Sequence, residues 1–372
     1  MEESVSSELL APARQRDERA NARLLRGLSL LEENTPASLR EAVVCFDDAI
    51  ELRRQLPLAE NCWFRYGLIA GWMNRGDALT RLGSADELSE ALHSYDEALT
   101  HLRELPMNES PLFIKRLAIA WLNRGFTLMK QATPGNGPDA VQSFRESIAA
   151  ARYFLSEDPS EGAALLAAAC LNHGNALIQL SPPEAENART AVKEALQLCR
   201  PSEPHDVAVA GIGFKARHIL CQALAHLLAG RELPAIQRDE LLIEATEAVD
   251  EGLALARHWE ARGAIQFRSQ AADLFRFGCR VYQTHQPHFL PEFLLENLDP
   301  ACSGGAFAGN LQMHTSAMDA LWHSLAEFQR DGFKAMNTPR FAEMLERLRE
   351  MRIANERLEE LRHAQAAGQD RA

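Results

Sequence analysis

Asn74-Arg75-Gly76, Asn123-Arg124-Gly125 and Asn172-His173-Gly174 recur at intervals of 49 residues, and one further step back from Gly76 lies Arg26-Gly27. The same interval separates Phe46, Tyr95 and Phe144, and again Ala49, Ala98 and Ser147. A chain built from copies of one unit of 20 to 50 residues stacks those copies into a solenoid, each burying its apolar face against its neighbours. Such an array is expected to present a long curved surface and no single enclosing cleft.

Within one copy the pattern is helical. Leu68, Trp72, Leu79 and Leu82 recur at spacings of four, seven and three, the stripe of an amphipathic helix. After Gly83-Ser84, a second stripe runs through Leu88, Ala91, Leu92, Tyr95, Ala98, Leu99 and Leu102 and stops before Pro106. Each unit is therefore read as a helical hairpin, with units near 21–57, 63–106, 112–155 and 161–200. No segment of these units alternates with period two, so strands are not expected.

Residues 205–282 continue as divergent helices, after an N-terminal helical capping segment at 1–20. Prolines and glycines mark 283–313 as a loop-rich connector. Residues 314–363 return to helical periodicity with many exposed Glu and Arg, as a polar helical cap would, and 364–372 is expected to fray.

The repeated positions resemble the tetratricopeptide repeat, W-x2-L-G-x2-Y followed by A, F, A and P. Trp72, Gly76, Ala91, Tyr95 and Ala98 fill them in the second unit, and Trp121, Gly125, Ala140, Phe144 and Ser147 in the third. Gly27, Ala42, Phe46 and Ala49 carry the first unit; Cys170, Gly174, Ala188, Val192 and Ala195 carry the fourth. This chain departs from the family in unit length, 49 residues against the usual 34, and in placing Arg or His before the glycine. The N-R-G sequence is similar to bacterial members, and the long second helices ending LRRQLP or LRELP are similar to kinesin light chain repeats. The resemblance implies an all-α fold, a right-handed α-α superhelix of hairpins whose first helices line the concave face.

On that face the resemblance directs Asn74, Asn123 and Asn172 inward. A carboxamide both donates and accepts, so three of them would pair with the main chain of an extended peptide whatever its sequence; the alternative is that each bonds a neighbouring helix terminus or water. Met73, Asp77, Leu122, Phe126, Leu171 and Asn175 are expected beside them to select its side chains. Arg26, Arg75, Arg124 and His173 form a cationic series, and Asp48, Glu97, Glu146 and Glu194 an acidic one on the second helices. Because an unpaired guanidinium is costly to bury, ion pairs inside each hairpin are expected; the competing arrangement is a cationic stripe gripping acidic peptides.

Other chemistry is poorly represented. His285 and His288, with His314 and His323 nearby, lack both zinc-finger cysteine spacing and the H-E-x-x-H pattern, so no metal or cofactor is expected. No G-x-S-x-G, Walker loop or G-x-G-x-x-G occurs, which argues against an enzyme. The 39 Lys and Arg against 52 Asp and Glu leave a net charge of −13, repelling nucleic acid and anionic membranes. The first eighteen residues lack the apolar core of a secretory signal, and seven scattered cysteines without C-x-x-C pairs suit a reducing cytoplasm. The function expected is a non-enzymatic scaffold or adaptor that binds a protein or peptide, with a second copy of the chain admitted as a partner. Two alternatives stay open: an accessory protein of a cytoskeletal polymer or large assembly, and a ligand-responsive regulatory sensor.

Overall fold

A computed structural model describes residues 2–286 except 134, 231 and 232, together with 289, 293, 297 and 346. The connector expected at 283–313 and the helices expected at 314–363 lie almost wholly outside the described residues, as do the tail at 364–372, His288, His314 and His323.

Among the described residues the chain is all helical. Its α-helices are α1 (Glu2–Glu33), α2 (Pro36–Arg54), α3 (Cys62–Leu82), α4 (Ala85–Leu102), α5 (Pro111–Gln131), α6 (Asn136–Glu157), α7 (Pro159–Gln179) and α8 (Ala185–Cys199). They are followed by α9 (Val207–Ala229), α10 (Ala235–Glu260) and α11 (Arg268–His285), the last preceded by a single 3-10 turn at Ile265–Phe267. The chain divides into two compact units, residues 1–198 and 199–372.

Local chemistry sets the helix boundaries in the first unit. Thr35 and Ser84, 49 residues apart, cap α2 and α4 through capping boxes with Ser38 and Glu87. The two hydrogen bonds from Ser84 hold the Glu87 carboxyl below its ordinary pKa. Asn61 and Ser110, also 49 apart, accept from Trp63 and Leu112 at the starts of α3 and α5. Gly83 closes α3 in the left-handed region at φ 82°, where glycine carries no steric cost.

Packing then proceeds between neighbours in sequence: α1 on α2, α2 on α3, and so on to α6 on α7. The first helices also touch one another, α1 with α3, α3 with α5 and α5 with α7. This is the nearest-neighbour arrangement that a helical repeat requires. The glycines explain its closeness. A Cβ built on Gly76 would lie 2.7 Å from the Tyr95 ring, and one on Gly125 would lie 2.7 Å from the Phe144 ring. Gly27 faces Phe46 in the same way, and Gly174 faces Val192 at 2.5 Å. Phe46, Tyr95 and Phe144 are almost wholly buried, so each ring lies on bare backbone of the opposite helix.

In the second unit α10 packs on α9 and α11, and α11 on α9. Gly213 leaves room for the Glu203 carboxylate, whereas Gly211 has only a Phe267 carbon at 3.8 Å. Arg217, on α9, reaches Glu203 with both terminal nitrogens, at 2.7 and 3.0 Å, and Glu251 at 3.2 Å. Helix α9 is long and apolar enough to cross a membrane, but 56% of its most apolar window is buried inside the protein, and it carries this ion-paired arginine. It packs as a core helix.

Candidate functional site

The repeated arginines are committed to ion pairs, and the register of those pairs is the repeat itself. Arg75 donates from Nε to Asp47 at 2.7 Å, from Nη1 to Ser94 at 2.8 Å and from Nη2 to Glu90 at 2.8 Å. Arg124 donates from Nε to Asp96 at 2.7 Å and from Nη1 to Ser143 at 2.9 Å. Asp47 and Asp96 are 49 residues apart, as are Ser94 and Ser143. Each arginine thus ties the second helix of its own hairpin to the second helix of the hairpin before. Arg26, in the first hairpin, donates to Glu41 at 3.0 Å, and Glu41 is the counterpart of Glu90.

The acids that meet these arginines are therefore not the expected ones. Asp48 pairs with Arg23 at 3.4 Å, Glu146 accepts from Gln142 at 2.7 Å, and Glu194 takes a bidentate bond from Arg152. Glu97 acts on His101, one turn along its own helix. One residue is about 100° around a helix, enough to exchange Asp47 for Asp48 as the side chain that faces the guanidinium. With Arg75 and Arg124 tied in this way, no free cationic stripe runs along them.

His173 stands at the fourth position of the series without this clamp. Its Nε2 is buried and unbonded. The residues at the corresponding places are Ala188 and Val192, while Arg145, 28 residues back as Asp47 is from Arg75, adds a like charge. Burial first, then Arg145, lowers the imidazole pKa from 6.5 to about 4, against a smaller opposing pull from Glu184.

The three amides do not share one environment. Asn74 is half-buried. Asn123 lies with Thr80 in hydrogen-bonding reach of the Tyr95 phenol, whose pKa burial raises. Asn172 turns its Nδ2 back to the Ala168 carbonyl at 2.8 Å, a bond within its own helix. Of the expected side-chain selectors, Met73 and Leu171 are buried, 4% and 7% exposed, and cannot select anything at a surface. Met73 belongs to the core cluster with Trp72, Leu102 and Phe113. Being adjacent in sequence to an asparagine does not place a helical residue on the same face. Leu122 is half-buried, and Asn175 accepts from Gln179 at 3.0 Å.

Asp77, Asn123 and Phe126 do come together. They line a recess of about 420 Å³ with Arg81 and Lys130, and the Tyr95 ring also lines it. Phe126 is 50% exposed, an apolar ring left in water beside a mixed set of donors and acceptors. Asp77 holds Arg81 through two bonds, at 3.1 and 2.9 Å. Arg81 also donates to the Leu31 carbonyl, and Lys130 to the Thr80 carbonyl, each 50 residues back. These two cations, 49 apart in the last turns of α3 and α5, satisfy carbonyls at the end of the preceding first helix. Sequence reasoning missed them, although a basic residue recurring in the last turn is a legible signal. Thr80 donates to the Gly76 carbonyl and shares a hydrogen bond with Thr127 at 2.9 Å beneath the recess.

Among the described residues, no three His, Cys, Asp or Glu side chains approach closely enough to hold a metal ion. Cys45, Cys199, Cys221 and Cys279 are free and buried, and Cys170 is buried as well. Burial pushes the thiols of Cys199 and Cys279 up to about 12, far from the range of a reactive thiolate. No protein-family model matches this chain. No curated protein compared with it matches either. The functional reading therefore comes from the geometry of the hairpins.

Proposed function

We propose that this chain is a non-catalytic interaction scaffold of the tetratricopeptide type, and that its first unit is a right-handed α-α superhelix with the first helices on the concave side. A peptide or protein segment binds along α3 and α5, seated on the recess around Phe126. The observation that carries this reading is the half-exposed Phe126 ring, which lies among Asp77, Arg81, Asn123 and Lys130. The ring offers apolar contact area and the groups around it offer donors and acceptors, the combination of apolar centre and polar rim that protein interfaces use. Asn123 serves the main chain of the bound segment and Phe126 an apolar side chain of it. Cys45, Cys62, Cys199, Cys221 and Cys279 are free thiols, which supports a reducing cytoplasm as the setting.

Selection of random displayed peptides against the full chain tests the proposal. Enriched peptides should compete with one another, and Phe126→Ala should weaken them about tenfold, or ~1.4 kcal/mol, without lowering Tm. Failure to enrich any sequence, or binding indifferent to Phe126 and Asn123, refutes it.

A further inference from the structure

A second recess lies on the other side of α5. Trp121 and Asn123 are two positions apart, about 200° around the helix, so the Trp121 side belongs to a different face from the one just described. The recess holds about 400 Å³ between α4, α5 and α6, and Trp121, Asp96, Asp139, Gln142, Arg103 and Arg124 line it.

The repeat supplies an internal comparison. Forty-nine residues earlier the same places are held by Trp72, Asp47, Glu90, His93, Arg54 and Arg75. There the protein fills the position itself. The Arg54 guanidinium lies 5.0 Å over the Trp72 ring, His93 meets that ring edge-on at 6.0 Å, and Glu90 reaches Arg75. Trp72 is left only 6% exposed.

At the Trp121 recess each of those devices is missing or shortened. Helix α2 continues through Arg54, but α4 ends at Leu102, so Arg103 is the capping residue and is exposed. Gln142 replaces the histidine ring. Asp139 is one methylene shorter than Glu90, and no hydrogen bond joins it to Arg124. Arg124 is 5.8 Å from the Trp121 ring, near the outer limit of a cation–π contact, and is fixed from elsewhere by Asp96 and Ser143.

We propose that this recess receives an arginine side chain from a protein partner, its guanidinium stacked on Trp121 as Arg54 stacks on Trp72 and its donors directed to Asp139. Arginine suits the position better than lysine because a planar guanidinium both stacks on an indole and offers paired donors to a carboxylate. The proposal is independent of the Phe126 face, and either can fail alone.

Titration of the full chain with N-acetyl-arginine-N-methylamide, followed by the NMR signals of the tryptophan indole N–H groups, tests it. The Trp121 signal, assigned by its loss in Trp121→Phe, should move with a Kd on the order of 1–10 mM, as a single weak side-chain contact gives. The citrulline analogue, with the same shape and no charge, should bind at least tenfold more weakly. Asp139→Asn should weaken arginine about threefold or more. Arg54→Ala should make the Trp72 signal respond to arginine, which in the wild type it should not. A Trp121 signal that stays still, or moves equally with citrulline, overturns the proposal whether or not the variants fold; so does an arginine affinity unchanged in a folded Asp139→Asn protein.

Discussion

Gly125→Ala sets two known effects against each other, and the structure decides the sign. In the middle of a helix, alanine is favoured over glycine by up to about 1 kcal/mol. At Gly125 the new methyl would lie 2.7 to 2.9 Å from three atoms of the Phe144 ring, against an ordinary carbon contact of about 3.5–4.0 Å. Phe144 is 1% exposed, so the ring has no open space to take up the displacement of nearly 1 Å. Overpacking costs about 1–3 kcal/mol, and with three ring atoms too close and no space to yield it falls in the upper part of that range, about 2–3, leaving a net loss of about 1–2 kcal/mol after the helix-propensity gain. For a unit of this size that corresponds to a fall in Tm of about 2–8 °C. Gly211→Ala is the matched control, since its nearest neighbour is an ordinary 3.8 Å from the new methyl. That variant should gain up to about 1 kcal/mol. Thermal and urea unfolding followed by circular dichroism measures both. Phe144→Leu should relieve part of the Gly125→Ala cost in a double-mutant cycle. A Gly125→Ala protein as stable as the wild type, or more stable, would refute the view that ring-on-glycine contact explains this glycine.

Three further outcomes are expected. Arg75→Met should cost about 0.5–1 kcal/mol, because Asp47 and Glu90 are half exposed, and the cost should shrink in high salt; a salt-independent loss would mean that packing, not charge, holds the clamp. His173 stays neutral in the folded chain down to about pH 4, while the unfolded chain takes up its proton near 6.5. Its contribution is therefore fully present above about pH 6.5 and is lost as pH falls toward 4, so His173→Gln should flatten the drop in urea midpoint between pH 7 and pH 5; an unchanged drop contradicts the assignment. Arg217→Met strands the buried Glu203 carboxylate and should cost about 3–5 kcal/mol, whereas Glu251→Gln, at an acid 42% exposed, should cost under about 1 kcal/mol; equal losses would show that the burial of Glu203 is not what sets the cost.

Much of the fold is legible in the chain because repetition correlates residues that no short window connects. Gly76 with Tyr95 and Gly125 with Phe144 keep one spacing, and that spacing is a ring laid on the facing helix. Hairpin limits are legible for a local reason: Thr35, Asn61, Ser84 and Ser110 cap the residues beside them, and capping needs no knowledge of the rest of the molecule. The candidate sites are less legible, since they depend on rotation about a helix axis. An error of one residue turns a side chain by about 100°, which separates Asp47 from Asp48 and moves Met73 and Leu171 from an expected groove into the core.

What the sequence determined alone is the periodic part: helices, their caps, and the close pairing of a glycine on one helix with a large residue on the next. Only the tertiary structure decided which copies of a repeated position are filled and which stand open. Trp72 and Trp121 are the same residue in the same register, yet Arg54 covers one while Arg103 leaves the other half-buried. A repeat specifies contacts through backbone spacing, which identical units share; the occupancy of a recess is set by side-chain reach, and a single methylene or one helical residue changes it.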